Sequence, residues 1–253
     1  MTDFAAITED GFLGGRLQLR QLRSGHRAGH DAILLAAATP ARAGQRVVDF
    51  GAGVGAAGLA VARRVDGVSL VLVEIDPQLA DLARGNAALN DVPAQVVTLD
   101  LAASADVFAA AGLSPDTADI VLMNPPFNDA VRHRGSPDKA RETAHVATAE
   151  TLTIWVHAAR RLLRSGGVLT LIWRADGMAD VLAALGRGFG GVAVMAVHGD
   201  PAASAIRILV RAIKGGRSPL EIHPAIALRD ASGAPDAYMD RVTAGKSALP
   251  WAR

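Results

Sequence analysis

Cysteine is absent from all 253 residues. That absence excludes disulfides, thiolate zinc sites and cysteine nucleophiles. Aromatic residues make up only 4% of the chain, with a single tyrosine among them. With alanine abundant, the expectation is tightly packed helices on a sheet, not a β-sandwich. No run of about 18 uninterrupted apolar residues occurs, so nothing is expected to span a bilayer. Neither sign of charge dominates, with 26 Lys and Arg against 25 Asp and Glu. Any nucleic-acid surface therefore has to be local. The seven histidines are scattered. No His, Asp or Glu group has metal-ligand spacing, so no metal is expected. The opening MTDFAAITEDGF carries acids and no basic flank ahead of an apolar run, unlike a signal peptide. A cytoplasmic protein is the expectation.

Half of the residues are apolar, enough for the core of one α/β domain. Short apolar runs at 46–49, 69–74, 96–100, 118–123, 168–173, 192–197 and 206–212 read as strands. Helical spacing falls between them at 56–64, 77–89, 149–163 and 177–185. Ser165, Gly166 and Gly167 are expected to stop the helix that precedes them. The alternation predicts a doubly wound, mostly parallel sheet. Residues 1–40 are expected to form an N-terminal extension, a hairpin and short helix packing on the core. Residues 41–253 are expected to form the main domain, with a tail after Lys214.

The segment Val47–Gly55, VVDFGAGVG, lies between an expected strand and an expected helix. Glycines there let the backbone approach a ligand closely, and the helix start offers free N–H groups. Gly51, Gly53 and Ala56 also satisfy a dinucleotide fingerprint, so the loop alone is weak evidence. Three acids are more telling. Asp49 ends the first strand, where a carboxylate can accept from a cationic amino group but would repel a pyrophosphate. Glu74 ends the second strand, where an acid can take both hydroxyls of a ribose. Asp76 competes for that role, although it also suits the N-cap before Pro77. Asp100 ends the third strand and can accept from an adenine amine, with Leu101 beside it.

On these residues the chain resembles the class I S-adenosylmethionine-dependent methyltransferases over about Val47 to Ala212. The resemblance implies a Rossmann-like sheet of seven strands whose last strand is antiparallel. It assigns Gly51, Gly53 and Gly55 to the methionine part of S-adenosyl-L-methionine, Glu74 to the ribose and Asp100 with Leu101 to the adenine.

The fourth strand ends in Asn124-Pro125-Pro126-Phe127. The prolines fix φ and remove two N–H donors, which holds the carbonyls of Asn124 and Pro125 in set directions. With the Asn124 side-chain oxygen they can grip an NH2 group and aim its lone pair at a methyl donor, which is catalysis by orientation. Phe127 can stack on an unpaired base. The tetrapeptide is similar to the signature of amino-methyltransferases acting on adenine, guanine or glutamine amides.

Past this motif, Arg132, Arg134 and Lys139 are candidate phosphate contacts, although Asp129, Asp138 and Glu142 among them also suit a solvated loop. Upstream, Gly29, Asp31, Ala32, Ile33, Leu34 and Leu35 match an element of the small-domain tRNA (adenine-N6) methyltransferases that modify valine tRNA. In that group the element packs over the cofactor; Asp31 also suits a helix cap. The chain departs from the group in having Phe127 alone where members show Tyr-Phe. The resemblance implies methylation of adenine N6 in RNA, tRNA above all. Protein glutamine-N5 and rRNA guanine-N2 methylation are the alternatives.

Overall fold

The computed structural model describes residues 7–23, 27–126, 137–230, 232–234 and 236–252, and for 137–148 the backbone alone. Two antiparallel strands, β1 (Ile7–Phe12) and β2 (Leu17–Leu22), form a hairpin. Leu17 and Leu19 of β2 are buried while Gln18 and Arg20 face out, the period-2 pattern of a half-buried strand. Helix α1 (His30–Ala38) follows, then β3 (Arg46–Phe50), α2 (Ala56–Arg64), β4 (Ser69–Glu74) and α3 (Pro77–Leu89). Next come β5 (Ala94–Thr98), α4 (Ala105–Ala110), β6 (Ala118–Met123) and α5 (Pro137–Leu162). The chain continues with β7 (Leu163–Arg174), α6 (Met178–Leu185), β8 (Phe189–His198), β9 (Ala205–Lys214), β10 (Glu221–Ala227) and α7 (Ala237–Thr243).

Eight strands make one sheet in the order β10-β8-β9-β7-β6-β3-β4-β5. Strand β9 runs antiparallel to both neighbours, and every other pair is parallel. The expected seven strands are β3 to β9, the last of them antiparallel. The tail adds an eighth, β10, on the outer edge.

Alternation along the strands divides the core. In β6, Ile120 and Leu122 join a cluster with the hairpin, α1, α2, α3 and Trp251. Val121 and Met123 join another with Phe108 of α4, Leu152 of α5 and Val181 of α6. Helices therefore cover both faces, and the ligand-binding edge is left at the carboxyl ends of the strands.

One expectation fails locally. Gly166 and Gly167 do not stop α5; the helix ends at Leu162 and β7 begins at once. Buried Leu163 already pairs with Ala118, and the ladder resumes at Val168 opposite Ile120. The glycines form the bulge between, with Gly166 at φ +75°. No helix among the described residues is long and apolar enough to cross a membrane. No group of three or more His, Cys, Asp or Glu could hold a metal among them.

Candidate active site

Strand β3 delivers its chain into the glycine loop, where Gly51, Gly53 and Gly55 all take positive φ, +65°, +56° and +88°. Only glycine adopts that run without strain. At Gly51 a side chain would also overlap the ring of Trp155 from α5. At Gly53 a side chain would project into open space, so the loop presents a bare backbone concavity there.

The acids bracket this loop. Glu74, buried at the end of β4, accepts from Gly53 N at 2.7 Å through Oε2 and from Ile75 N and Asp76 N at 2.9 and 3.0 Å through Oε1. Three bonds leave lone-pair capacity for a further donor. Asp49 is 2% exposed, and its Oδ2 accepts from Gly58 N in the first turn of α2 at 2.8 Å. Burial pushes its carboxyl up to about 7, and the neighbouring Glu74 adds to the rise against the lowering effect of the Gly58 bond. Two buried acids beside an open glycine loop make a site short of positive charge. A sulfonium or ammonium ligand supplies it. Asp100 sits two residues past β5 in a turn, its Oδ1 accepting from Ala102 N at 2.8 Å, with Leu101 buried beside it.

At the end of β6, Asn124 is half-buried, Pro125 buried and Pro126 exposed. Phe50 pairs with Met123, so Asn124 stands level with Gly51 on the adjacent strand. The Oδ1 atom of Asn124 is buried and has no hydrogen-bond partner. Buried acceptors are normally satisfied, and an orphan at a strand end is an acceptor awaiting a donor.

Asp76 caps α3, accepting from Gln78 N and Leu79 N, as its place before Pro77 suggested. Asp31 does not cap α1. Gly29 occupies the N-cap position, and Asp31 instead pairs with Arg207 of β9 at 3.0 Å. Phe127, Arg132 and Arg134 lie outside the described residues, as does the side chain of Lys139. Sequence reasoning missed two contributors. Nothing in the sequence signals that Trp155, 104 residues further along, meets Gly51. Asn86 of α3 donates to Val54 O in the loop at 2.9 Å, and its pairing with Asn90 four residues on was a legible signal.

The methyltransferase small domain model matches residues 24–201. The chain belongs to that family. The methyltransferase takes S-adenosylmethionine as its cofactor. The buried acids Asp49 and Glu74 beside the open glycine loop suit that cofactor's positive charge. The tRNA1(Val) (adenine(37)-N6)-methyltransferase of Cronobacter sakazakii is 30% identical over 175 residues, 68% of this chain and 69% of that one. The release factor glutamine methyltransferase of Chlorobaculum tepidum is 30% identical over 155 residues, covering 59% of this chain and about half, 52%, of its own. Among solved structures, a protein of Agrobacterium tumefaciens described as a predicted O-methyltransferase has a TM-score of 0.73 at 31% identity. The match covers 87% of this chain and 98% of that one.

Proposed function

We propose that this methyltransferase acts on the exocyclic N6 amine of an adenine in RNA, with tRNA as the RNA class. The observation that carries the reading is the unpaired, buried Oδ1 of Asn124 at the end of β6. An amine donates two hydrogens, and Asn124 Oδ1 with the proline-fixed carbonyls offers the acceptors. In this reading Glu74, Asp100 and Leu101 hold the nucleoside of the cofactor. Asp49, Gly51, Gly53 and Gly55 shape the site for its cationic end, and Gly29 and Asp31 flank it. The cofactor supplies an electrophilic methyl group. The protein's part is to hold the amine in line with that methyl, exclude water and spread the acceptor contacts over Asn124 and Pro125. Phe127 stacks on the base, and Arg132, Arg134 and Lys139 contact phosphates. Residues 1–40 act as an extension of a core formed by 41–253.

The similarity to the Cronobacter enzyme supports adenine over the alternatives. The glutamine reading ranks second: nearly half of that relative lies outside the match, whereas the extension here packs into the core of the methyltransferase.

Asn124→Ala is expected to leave cofactor affinity near the parental value and lower kcat about a hundredfold, the scale of a misplaced reacting atom. Parental turnover in that variant removes Asn124 from the chemistry. Nucleoside mass spectrometry of tRNA and rRNA incubated with the protein and labelled cofactor identifies the acceptor. N6-methyladenosine supports the proposal. Label in N2-methylguanosine or in a release-factor-like protein instead overturns it.

A further inference from the structure

We propose that the groove between α5 and the turn after α6 binds the phosphate backbone of the substrate RNA beyond the target base; this rests on the RNA reading above. Two cavities meet there. One, of about 340 Å³, lies between α5 and α6, with Thr153, His157, Arg160, Asp180 and Arg187 in its lining. The other, of about 630 Å³, has Asp116, His157, Arg160, Arg161 and Lys214 in its lining. His157, Arg160 and Gly188 line both, so the two form one continuous groove. Arg160, Arg161, Arg187 and Lys214 outweigh the two carboxylates along it, Asp116 and Asp180.

Two of these cations are already engaged within the fold. Lys214 Nζ donates to Asp116 Oδ1 and to Leu163 O, both at 2.6 Å. Arg161 lies 4.3 Å over the Phe108 ring and donates to Ala103 O at 3.3 Å. Arg160 and Arg187 differ: both are exposed, and neither side chain has a hydrogen-bond or ion-pair partner among the described residues. Arginines in the last turn of a helix ordinarily offset its dipole. Arg160 instead reaches across to the turn after α6, where a side chain at Gly188 would overlap its Cδ and Nη1. The glycine there leaves room for the guanidinium. Ala183, Ala184, Gly186 and Gly215 also line the groove, so much of its floor is bare backbone. Apart from His157 no ring lines it among the described residues, so nothing there stacks on bases. Cationic walls over a bare floor suit phosphate and sugar, which position an RNA without reading its sequence.

The groove leads away from the active site. Helix α5 is the first helix after the Asn124 motif, and its Trp155 meets Gly51 of the glycine loop. Arg160 lies five residues further on, about 7.5 Å down the helix axis. Lys214 ends β9 opposite Phe189, where β8 begins, at the sheet edge remote from the glycine loop. An RNA whose target base is held at Asn124 thus has a cationic path down this face for the strand that follows.

The test is the initial rate of methylation against concentration of unmodified tRNA transcripts, at several salt concentrations, for the full chain and its variants. Arg160→Ala and Arg187→Ala are each expected to raise KM for RNA about fivefold, and the double variant on the order of twentyfold, with kcat at saturating RNA retained. Each single variant also flattens the dependence of log KM on log salt by about one unit. Arg160→Lys keeps the charge and is expected to keep the parental salt slope. Arg84→Ala removes the same charge from α3, on the opposite face of the sheet, and is expected to leave KM near the parental value. Unaltered KM and salt slope in the double variant overturns the groove. An equal rise in Arg84→Ala also overturns it, because net charge alone then explains the effect. Failure of the parental protein to methylate any RNA overturns the RNA reading and the groove with it, whereas RNA methylation with indifferent variants overturns the groove alone.

Discussion

Asp49 is ionised with difficulty because it has lost its water and has Glu74 for a neighbour. Its carboxyl titrates at about 7 in the folded protein against 3.8 ordinarily. Between those values the folded state holds a proton that the unfolded chain has released. Stability from this group therefore falls as pH rises through that window, and the penalty is complete above about 7. A cationic ligand favours the ionised form, so cofactor affinity is expected to rise with pH through the same point, with proton release visible by calorimetry in buffers of different ionisation heat. Asp49→Asn keeps an acceptor for Gly58 N but carries no charge. It is expected to raise Tm at pH 8 by at least about 2 °C, to do little at pH 5, and to weaken cofactor binding. Equal Tm shifts at both pH values would show that ionisation is not the cause. Gly51 is constrained twice, by its φ of +65° and by the Trp155 ring. Gly51→Ala should cost more than about 2 kcal/mol in urea unfolding. Adding Trp155→Ala should recover only the steric part, read from a double-mutant cycle.

At the scale of elements, the hairpin is attached to α3 by two asparagine side chains acting as a strand edge. Asn86 accepts from Arg20 N and donates to Arg20 O, at 2.7 and 3.0 Å. Asn90 does the same for Gln18, at 2.8 and 2.7 Å. Because Asn86 also donates to Val54 O, the hairpin and the glycine loop share one support. Asn86→Ala strands buried backbone groups, so a loss of about 2–3 kcal/mol is expected. Amide exchange at Arg20 should accelerate far more than at central β3. Uniform acceleration would mean that the asparagine stabilises the whole fold and not this junction. The bounds of α2, β4, α3 and β6 were legible in the sequence because apolar periodicity and the Asp76-Pro77 start specify them locally. The start of β7 was not, since Leu163 is extended by its pairing with Ala118, a contact 45 residues away in the chain.

Across the whole molecule, the last residues close the face that the hairpin and α1 cover. Trp251 is buried, its Nε1 donates to Ala38 O at 2.9 Å, and Leu249 N donates to Ala37 O at 2.9 Å. Arg211 of β9 holds Trp251 O at 3.0 Å. Tail, α1 and sheet are therefore one packing unit. Trp251→Ala should cost about 3 kcal/mol and lower Tm by about 6–12 °C, in a single transition. Two separate transitions would show that the tail melts independently.

Local chemistry decided what could be read without a structure. Alternating apolar runs and helical spacing predicted the sheet; glycines after a strand, an acid at or just past each of three strand ends and the Asn-Pro-Pro turn are short-range patterns that pointed to the cofactor and the family. Tertiary structure alone decided which oxygens remain available. Glu74 is shared with the loop it supports, Asp49 is desolvated by elements distant in sequence, and Asn124 Oδ1 is left unpaired. The meeting of Arg160 with Gly188 likewise exists only once α5 packs beside α6. Burial, register and hydrogen-bond satisfaction are sums over neighbours that the linear order of residues does not list.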